Sequence, residues 1–71
     1  MGNEKLKNNI KVFRAKFNIS QRELAEAIGV TRKTINTIET GRFVPSTILS
    51  LKIAKHFGTN VEEIFKLEGE E

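Results

Sequence analysis

The apolar positions of this chain recur at helical spacing almost from end to end. Leu6, Ile10, Phe13 and Phe17 follow at steps of four, three and four, which predicts a first helix over about residues 5–17 with one apolar stripe. Val12 falls off that stripe and is expected half exposed. A second helix starts at Ser20, where SQRE sets a hydroxyl and a carboxylate three residues apart as a capping box requires. Leu24, Ala25 and Ile28 face inward on it, and Gly29 supplies the left-handed residue that stops it. Thr31 caps a third helix, which ends before Gly41. The fourth follows Pro45, with Ser46 as cap, Leu49, Ile53, Ala54 and Phe57 inside, and Gly58 at its close. A short fifth piece capped by Asn60 carries Val61, Ile64 and Phe65. No stretch alternates at period two convincingly, so no strand is predicted. GRFVPS reads as an extended loop because Pro45 biases Val44 away from helix. The expected fold is all-α, with five helices.

The third helix breaks the pattern of its neighbours. On a wheel of about 100° per residue, Arg32, Lys33, Asn36, Thr37 and Thr40 share a sector of about 140°, while Thr34, Ile35 and Ile38 lie on the other side. Side chains of this kind have a use against the base edges of a major groove. Arg and Lys donate to guanine, Asn makes a paired contact with adenine, and a Thr methyl packs on thymine. The short turn IGVT sets the second and third helices at a steep angle and leaves the third protruding. A solvated surface helix with no partner accounts for the same polar residues.

Composition narrows the choice. Seventy-one residues form one small domain, so function must lie on a surface rather than in a deep active site. There is no cysteine, which removes disulfides and thiolate metal sites as stabilising devices. His56 is the sole histidine and builds neither a metal site nor a catalytic dyad, and no cofactor or enzymatic grouping is expected. The apolar runs are short and MGNEKLKNN lacks the stretch of a secretory signal, so the expectation is a cytoplasmic protein without a membrane span. The formal charge of +3 hides an asymmetry: residues 1–60 carry about +7, and residues 61–71 about −4. A basic body with an acidic end suits a polyanionic partner.

The run ISQRELAEAIGVTRKTINTIETGRFVPS, followed by LKIAKHFGTNVEEIF, closely resembles the lambda-repressor-like helix-turn-helix proteins of the Xre/Cro type. The resemblance covers about residues 6–66, and it is specific because SQRELA, the turn glycine, TRKTINTIE, the next glycine and PS all fall at the family's spacing. It implies a five-helix DNA-binding domain over residues 1–66, with helices two and three as the helix-turn-helix and residues 67–71 as an acidic tail. It also implies roles. Gln21 bonds a phosphate and buttresses the reading helix; Arg32, Lys33, Asn36 and Thr37 face base edges; Thr31, Thr34 and Arg42 contact the backbone of double-stranded DNA. Arg14 and Glu39 match a pair that ties the first helix to the third in some relatives. The competing role for Arg14 is a phosphate contact, and the ion pair is favoured because Glu39 would otherwise place a bare carboxylate near phosphates. The order of Thr47 and Ile48 after PS departs from the family pattern and leaves the inward face of the fourth helix's first turn open.

Small relatives usually act as two-fold dimers, with half-sites about 34 Å apart on palindromic operators. Phe65 and Leu67, joined by Ile64 and Val61, are the expected dimer surface, because a short fifth helix cannot bury them all in its own chain; the alternative is that Ile64 and Phe65 complete the core, with Leu67 in a frayed end. The leading expectation is a homodimeric DNA-binding transcriptional regulator, a repressor by operator occupancy. The runner-up, an antitoxin-like or adaptor module that holds a partner protein, uses the same fold.

Overall fold

Side-chain caps set where the second, third and fourth helices begin, whereas Asn60, expected to cap the fifth, makes no side-chain capping bond. Residues 5–68 are described by the computed structural model, in the order β1 (Leu6–Asn8), α1 (Ile10–Phe17), α2 (Gln21–Ile28), α3 (Arg32–Glu39), α4 (Thr47–His56), α5 (Val61–Ile64) and β2 (Phe65–Leu67). At the start of α2 the capping box is complete: Glu23 N–H donates to Ser20 Oγ at 3.0 Å, and Ser20 N–H donates to Glu23 Oε1 at 2.8 Å. Thr31 Oγ1 accepts from Thr34 N–H at 3.2 Å to open α3, and Ser46 Oγ accepts from Leu49 N–H at 3.1 Å to open α4. Each hydroxyl satisfies an amide that the first helical turn leaves without a carbonyl.

Five helices match the expectation, but two strands depart from it. β1 and β2 pair antiparallel, with Leu6 opposite Leu67 and Asn8 opposite Phe65. The first helix therefore starts at Ile10 rather than near Lys5. Asn8 explains the late start. Its Oδ1 accepts from Ile10 N–H at 3.2 Å, its Nδ2 donates to the Ile38 carbonyl at 3.0 Å, and the neighbouring Asn9 N–H donates to the Ile64 carbonyl at 2.8 Å. The Asn9 N–H is thus drawn to α5 and the Asn8 side chain to α3, which ties this segment away from α1. Strands of three residues are too short for alternation to show in sequence, and their partners lie at opposite ends of the described chain.

This ribbon also corrects the expected dimer surface. Ile64 and Phe65 are 0% and 7% exposed and belong to the core of their own chain. β2 continues directly from α5 and turns Phe65 onto the core, where half-buried Leu6 also packs. Val61 is half-buried and Leu67 remains exposed. Leu67, expected as the first tail residue, closes β2, and Glu68 N–H then donates to the Lys5 carbonyl. Residues 69–71 of the expected acidic tail lie outside the described residues.

The core joins Ile10 of α1, Leu24, Ala25 and Ile28 of α2, Ile35 and Ile38 of α3, and Ile53 and Phe57 at α4, with Ile64 and Phe65 closing it. Phe57 stacks tilted against Phe13 and edge-on against Phe17, at centroid distances of 5.4 and 5.2 Å. Ile53→Ala should cost about 2–5 kcal/mol, since a fully buried side chain is lost from a packed centre. Asn8→Ala should cost about 1 kcal/mol through its two hydrogen bonds. Thermal unfolding monitored by circular dichroism checks both, and an Asn8 variant as stable as the parent would deny the ribbon its anchoring role.

Candidate nucleic-acid interface

The turn between α2 and α3 is built from a left-handed glycine. Gly29 has φ of +81°, a conformation costly for any side chain, and both Gly29 N–H and Val30 N–H donate to the Ala25 carbonyl at 2.9 Å. Thr31 then opens α3 within two residues of that glycine. At the other end of α3, Gly41 has φ of +80°, and the Thr37 carbonyl accepts from the N–H groups of Arg42 and Phe43 at 2.9 and 3.2 Å. The helix is thus held at both ends by the backbone, and its orientation is fixed by what its two sides touch.

On the inner side, Ile35 and Ile38 are buried in the core. On the outer side, Arg32, Lys33 and Asn36 are exposed, and Thr37 is half-buried with its hydroxyl donating to the Thr34 carbonyl at 3.0 Å. Four of the predicted base-facing residues therefore lie on one turn and a half of a single helix. Thr31 and Thr34 sit at its start, and their hydroxyls face each other at 3.1 Å. Arg42 is exposed in the loop just beyond its end.

Behind this face runs a polar network that links three helices. Arg14 of α1 grips Glu39 of α3 with two bonds, Nε to Oε2 at 2.6 Å and Nη2 to Oε1 at 3.1 Å. A third bond runs from Arg14 Nη1 to the Ile19 carbonyl at 3.2 Å. The side chains are 15% and 7% exposed, so neither charge is left to water. The hydrogen bond to Glu39 holds the Arg14 guanidinium above its usual range; burial opposes this and the carboxylate's charge adds to it. Gln21, the first residue of α2, completes the network. Its Nε2 donates to Glu39 Oε1 at 3.1 Å and to Asn36 Oδ1 at 3.2 Å, and its Oε1 accepts from Arg32 Nη1 at 3.1 Å. Of the predicted site residues, Gln21, Arg32 and Asn36 are joined directly in this way, while Lys33 stands apart from the network.

Phe43 was not among the predicted site residues. It is exposed and lines a shallow concavity with Lys33, Thr34 and Thr37, beside the reading face. An aromatic residue two positions after the glycine that ends α3 was the available signal.

A family model for the helix-turn-helix matches residues 10–64, which run from the first residue of α1 to the last of α5. The chain belongs to the helix-turn-helix family, of the Xre type. Both strands of the ribbon fall outside the matched segment. Among similar sequences, an uncharacterized HTH-type transcriptional regulator of Bacillus subtilis, YgzD, is 49% identical over 65 residues, covering 92% of this chain and 98% of its own length. Another from Methanocaldococcus jannaschii, MJ0272, is 47% identical over 66 residues, covering 93% of this chain and all of its own. Among solved structures, the crystal structure of the clp gene regulator ClgR from Corynebacterium glutamicum superposes with a TM-score of 0.71 at 31% identity, over 76% of this chain and 57% of that one.

Breaking the pair that anchors the network should cost stability. Glu39→Ala leaves Arg14 with a poorly solvated charge and should destabilise the fold by about 3 kcal/mol. Arg14→Met should cost nearly as much, and the double variant should cost less than the two single losses added together. Chemical denaturation of all four proteins measures that coupling, and simple additivity would mean the two side chains do not act as a pair.

Proposed function

We propose that this chain is a sequence-specific DNA-binding transcriptional regulator that lays α3 in the major groove. One observation carries the proposal. The outward face of α3 is built of hydrogen-bonding side chains of middling length, Arg32, Lys33, Asn36 and Thr37, and is buttressed from behind by Gln21 and the Arg14–Glu39 pair. A merely solvated helix needs no such support. The HTH-type regulators at nearly half identity, one bacterial and one archaeal, support the same reading. In it, Arg32, Lys33, Asn36 and Thr37 meet base edges, and Gln21, Thr31, Thr34 and Arg42 meet the phosphate backbone.

The regulator acts as a homodimer in the cytoplasm of a prokaryotic cell, and represses by occupying a palindromic operator. One domain of this size makes few contacts, and a two-fold pair doubles them with half-sites about one helical turn apart. With Ile64 and Phe65 committed to the core, the surface that best supports pairing moves to α4 and its flanks. Ile48 and Leu51, one turn apart on α4, are 70% and 56% exposed, and Val44 just before the helix is 68% exposed. Leu51 also lines a shallow groove with Leu6, Pro45, Val61 and Phe65, and Leu67, directly opposite Leu6, continues that apolar strip. Exposed apolar side chains at this density need a partner in water. A second copy supplies one by isologous contact.

Two measurements test this. Arg32→Ala should weaken operator binding by roughly 1–3 kcal/mol while leaving nonspecific binding less affected, in a titration at fixed salt. Wild-type affinity should fall steeply as salt rises, by a slope near −0.9 per phosphate contact, and a flat salt response would favour a protein partner over DNA. Separately, Ile48→Glu with Leu51→Glu should shift the sedimentation profile toward monomer, and an unchanged dimer would place the interface elsewhere.

A further inference from the structure

Phe43 is the aromatic side chain that the core does not use. Of the five phenylalanines, Phe13 and Phe17 stack on Phe57 and Phe65 is buried, whereas Phe43 is 47% exposed and meets no other ring among the described residues. Its backbone is nonetheless tied to α3, because Phe43 N–H donates to the Thr37 carbonyl at 3.2 Å, the same oxygen that Arg42 N–H reaches. That bond holds the residue at the flank of the helix, where it lines a shallow concavity with Lys33, Thr34 and Thr37. The concavity shares Lys33 and Thr37 with the face proposed to meet base edges, so a duplex laid on that face covers it. Its two threonines have their hydroxyls engaged within the protein. Thr37 Oγ1 donates to the Thr34 carbonyl at 3.0 Å, and Thr34 Oγ1 lies 3.1 Å from Thr31 Oγ1. A threonine whose hydroxyl is held by its own helix presents its methyl group on another side of Cβ. The outward face of α3 is thus two-sided. Toward α2, Arg32 and Asn36 are joined to Gln21 by hydrogen bonds; toward the following loop, Lys33 stands beside a ring and two threonines.

We infer that Phe43, together with Thr37 and Thr34, forms a methyl-binding concavity that makes thymine the preferred base at one position of the recognised sequence. This deepens the DNA-binding function proposed above and rests on it. The C5 methyl of thymine is the apolar group that unmodified bases present in the major groove. Next to it lies O4, an acceptor that an ammonium such as that of Lys33 can meet. Cytosine sets an amino donor beside a bare C5 at the same place, and the purines carry no methyl. A phosphate or an amino group pressed against the Phe43 ring would give up water without gaining a hydrogen bond, whereas a methyl group gives up nothing it needs. Phe43 also borders the exposed apolar strip that begins at Val44, where a second copy would be its partner. The wall it shares with Lys33 and Thr37 assigns the ring to DNA instead.

Selection of bound sequences from random duplex DNA, at one salt concentration, first locates the thymines that wild type requires. Each is then replaced by deoxyuridine, which removes the methyl group and keeps O4 and the base pairing. At one of these positions wild-type affinity should fall about fourfold, the worth of one buried methyl group. Phe43→Ala and Thr37→Ser should each lose most of that difference between thymine and uracil, at that position only. Serine keeps the hydroxyl that bonds the Thr34 carbonyl and removes the methyl alone, so it carries the test even if thermal melts show Phe43→Ala to be unfolded. Equal affinity of wild type for thymine and uracil at every selected position, or selection of a sequence without thymine, overturns the inference and leaves DNA binding standing. So does a folded Phe43→Ala protein that still discriminates about fourfold, as a ring packed on the sugar-phosphate backbone would allow, or one that sediments as a monomer where wild type is a dimer. Failure of wild type to enrich any sequence overturns the DNA-binding reading itself.

Discussion

A carboxylate has to sit next to the surface that meets a polyanion, and the structure is arranged around making that tolerable. Glu39 lies on the helix that carries the candidate reading face, and uncompensated it would repel phosphates from that helix. Arg14 removes the problem with a two-pronged grip from α1, and the planar guanidinium suits this geometry in a way an ammonium would not. The pair then becomes a fixed point. α1 and α3 are joined through it, α2 is joined through Gln21, and the alignment of the outer side chains on α3 follows from there.

That arrangement explains why so small a domain can present a rigid polar surface. The core beneath α3 is made almost wholly of branched aliphatic side chains, which pack without leaving polar groups to satisfy. Among the described residues, every buried side-chain nitrogen and oxygen has a hydrogen-bond partner. Behind α3 the part-buried polar side chains form one network, from Arg14 through Glu39 and Gln21 to Asn36 and Arg32. A network of this kind holds side chains in one geometry, whereas long exposed charges would each have to be ordered on binding.

Much of this was legible in the sequence. The capping box at Ser20, the stop at Gly29 and the caps at Thr31 and Ser46 are local signals, and local chemistry decided them. The candidate site was legible for the same reason: Arg32, Lys33, Asn36 and Thr37 share a face because helical geometry alone brings residues three and four apart together. The Arg14–Glu39 pair was reached only through resemblance, since nothing in the spacing of two residues on different helices predicts their contact. What sequence could not supply was the ribbon. Leu6 continues the helical stripe of α1 perfectly well, and only hydrogen bonds from Asn8 and Asn9 to distant carbonyls turn it into a strand. The expectation that Phe65 stays free for a partner followed from this one omission, because β2 is the element that turns Phe65 onto the core.

The ribbon also gives the domain an order of assembly. The contacts of α2 with α3 are close in sequence and can form as soon as both helices exist, but β1 has to wait for β2. During synthesis Leu6 emerges early with its partner not yet made, and the chain carries an uncovered apolar strand until Phe65–Leu67 appears. The last of the described elements is thus the one that seals the core. Loss of those few residues, by early termination or by proteolysis, would leave a recognisable helix-turn-helix sitting on an open hydrophobic floor, a species marked for aggregation or degradation rather than for its target.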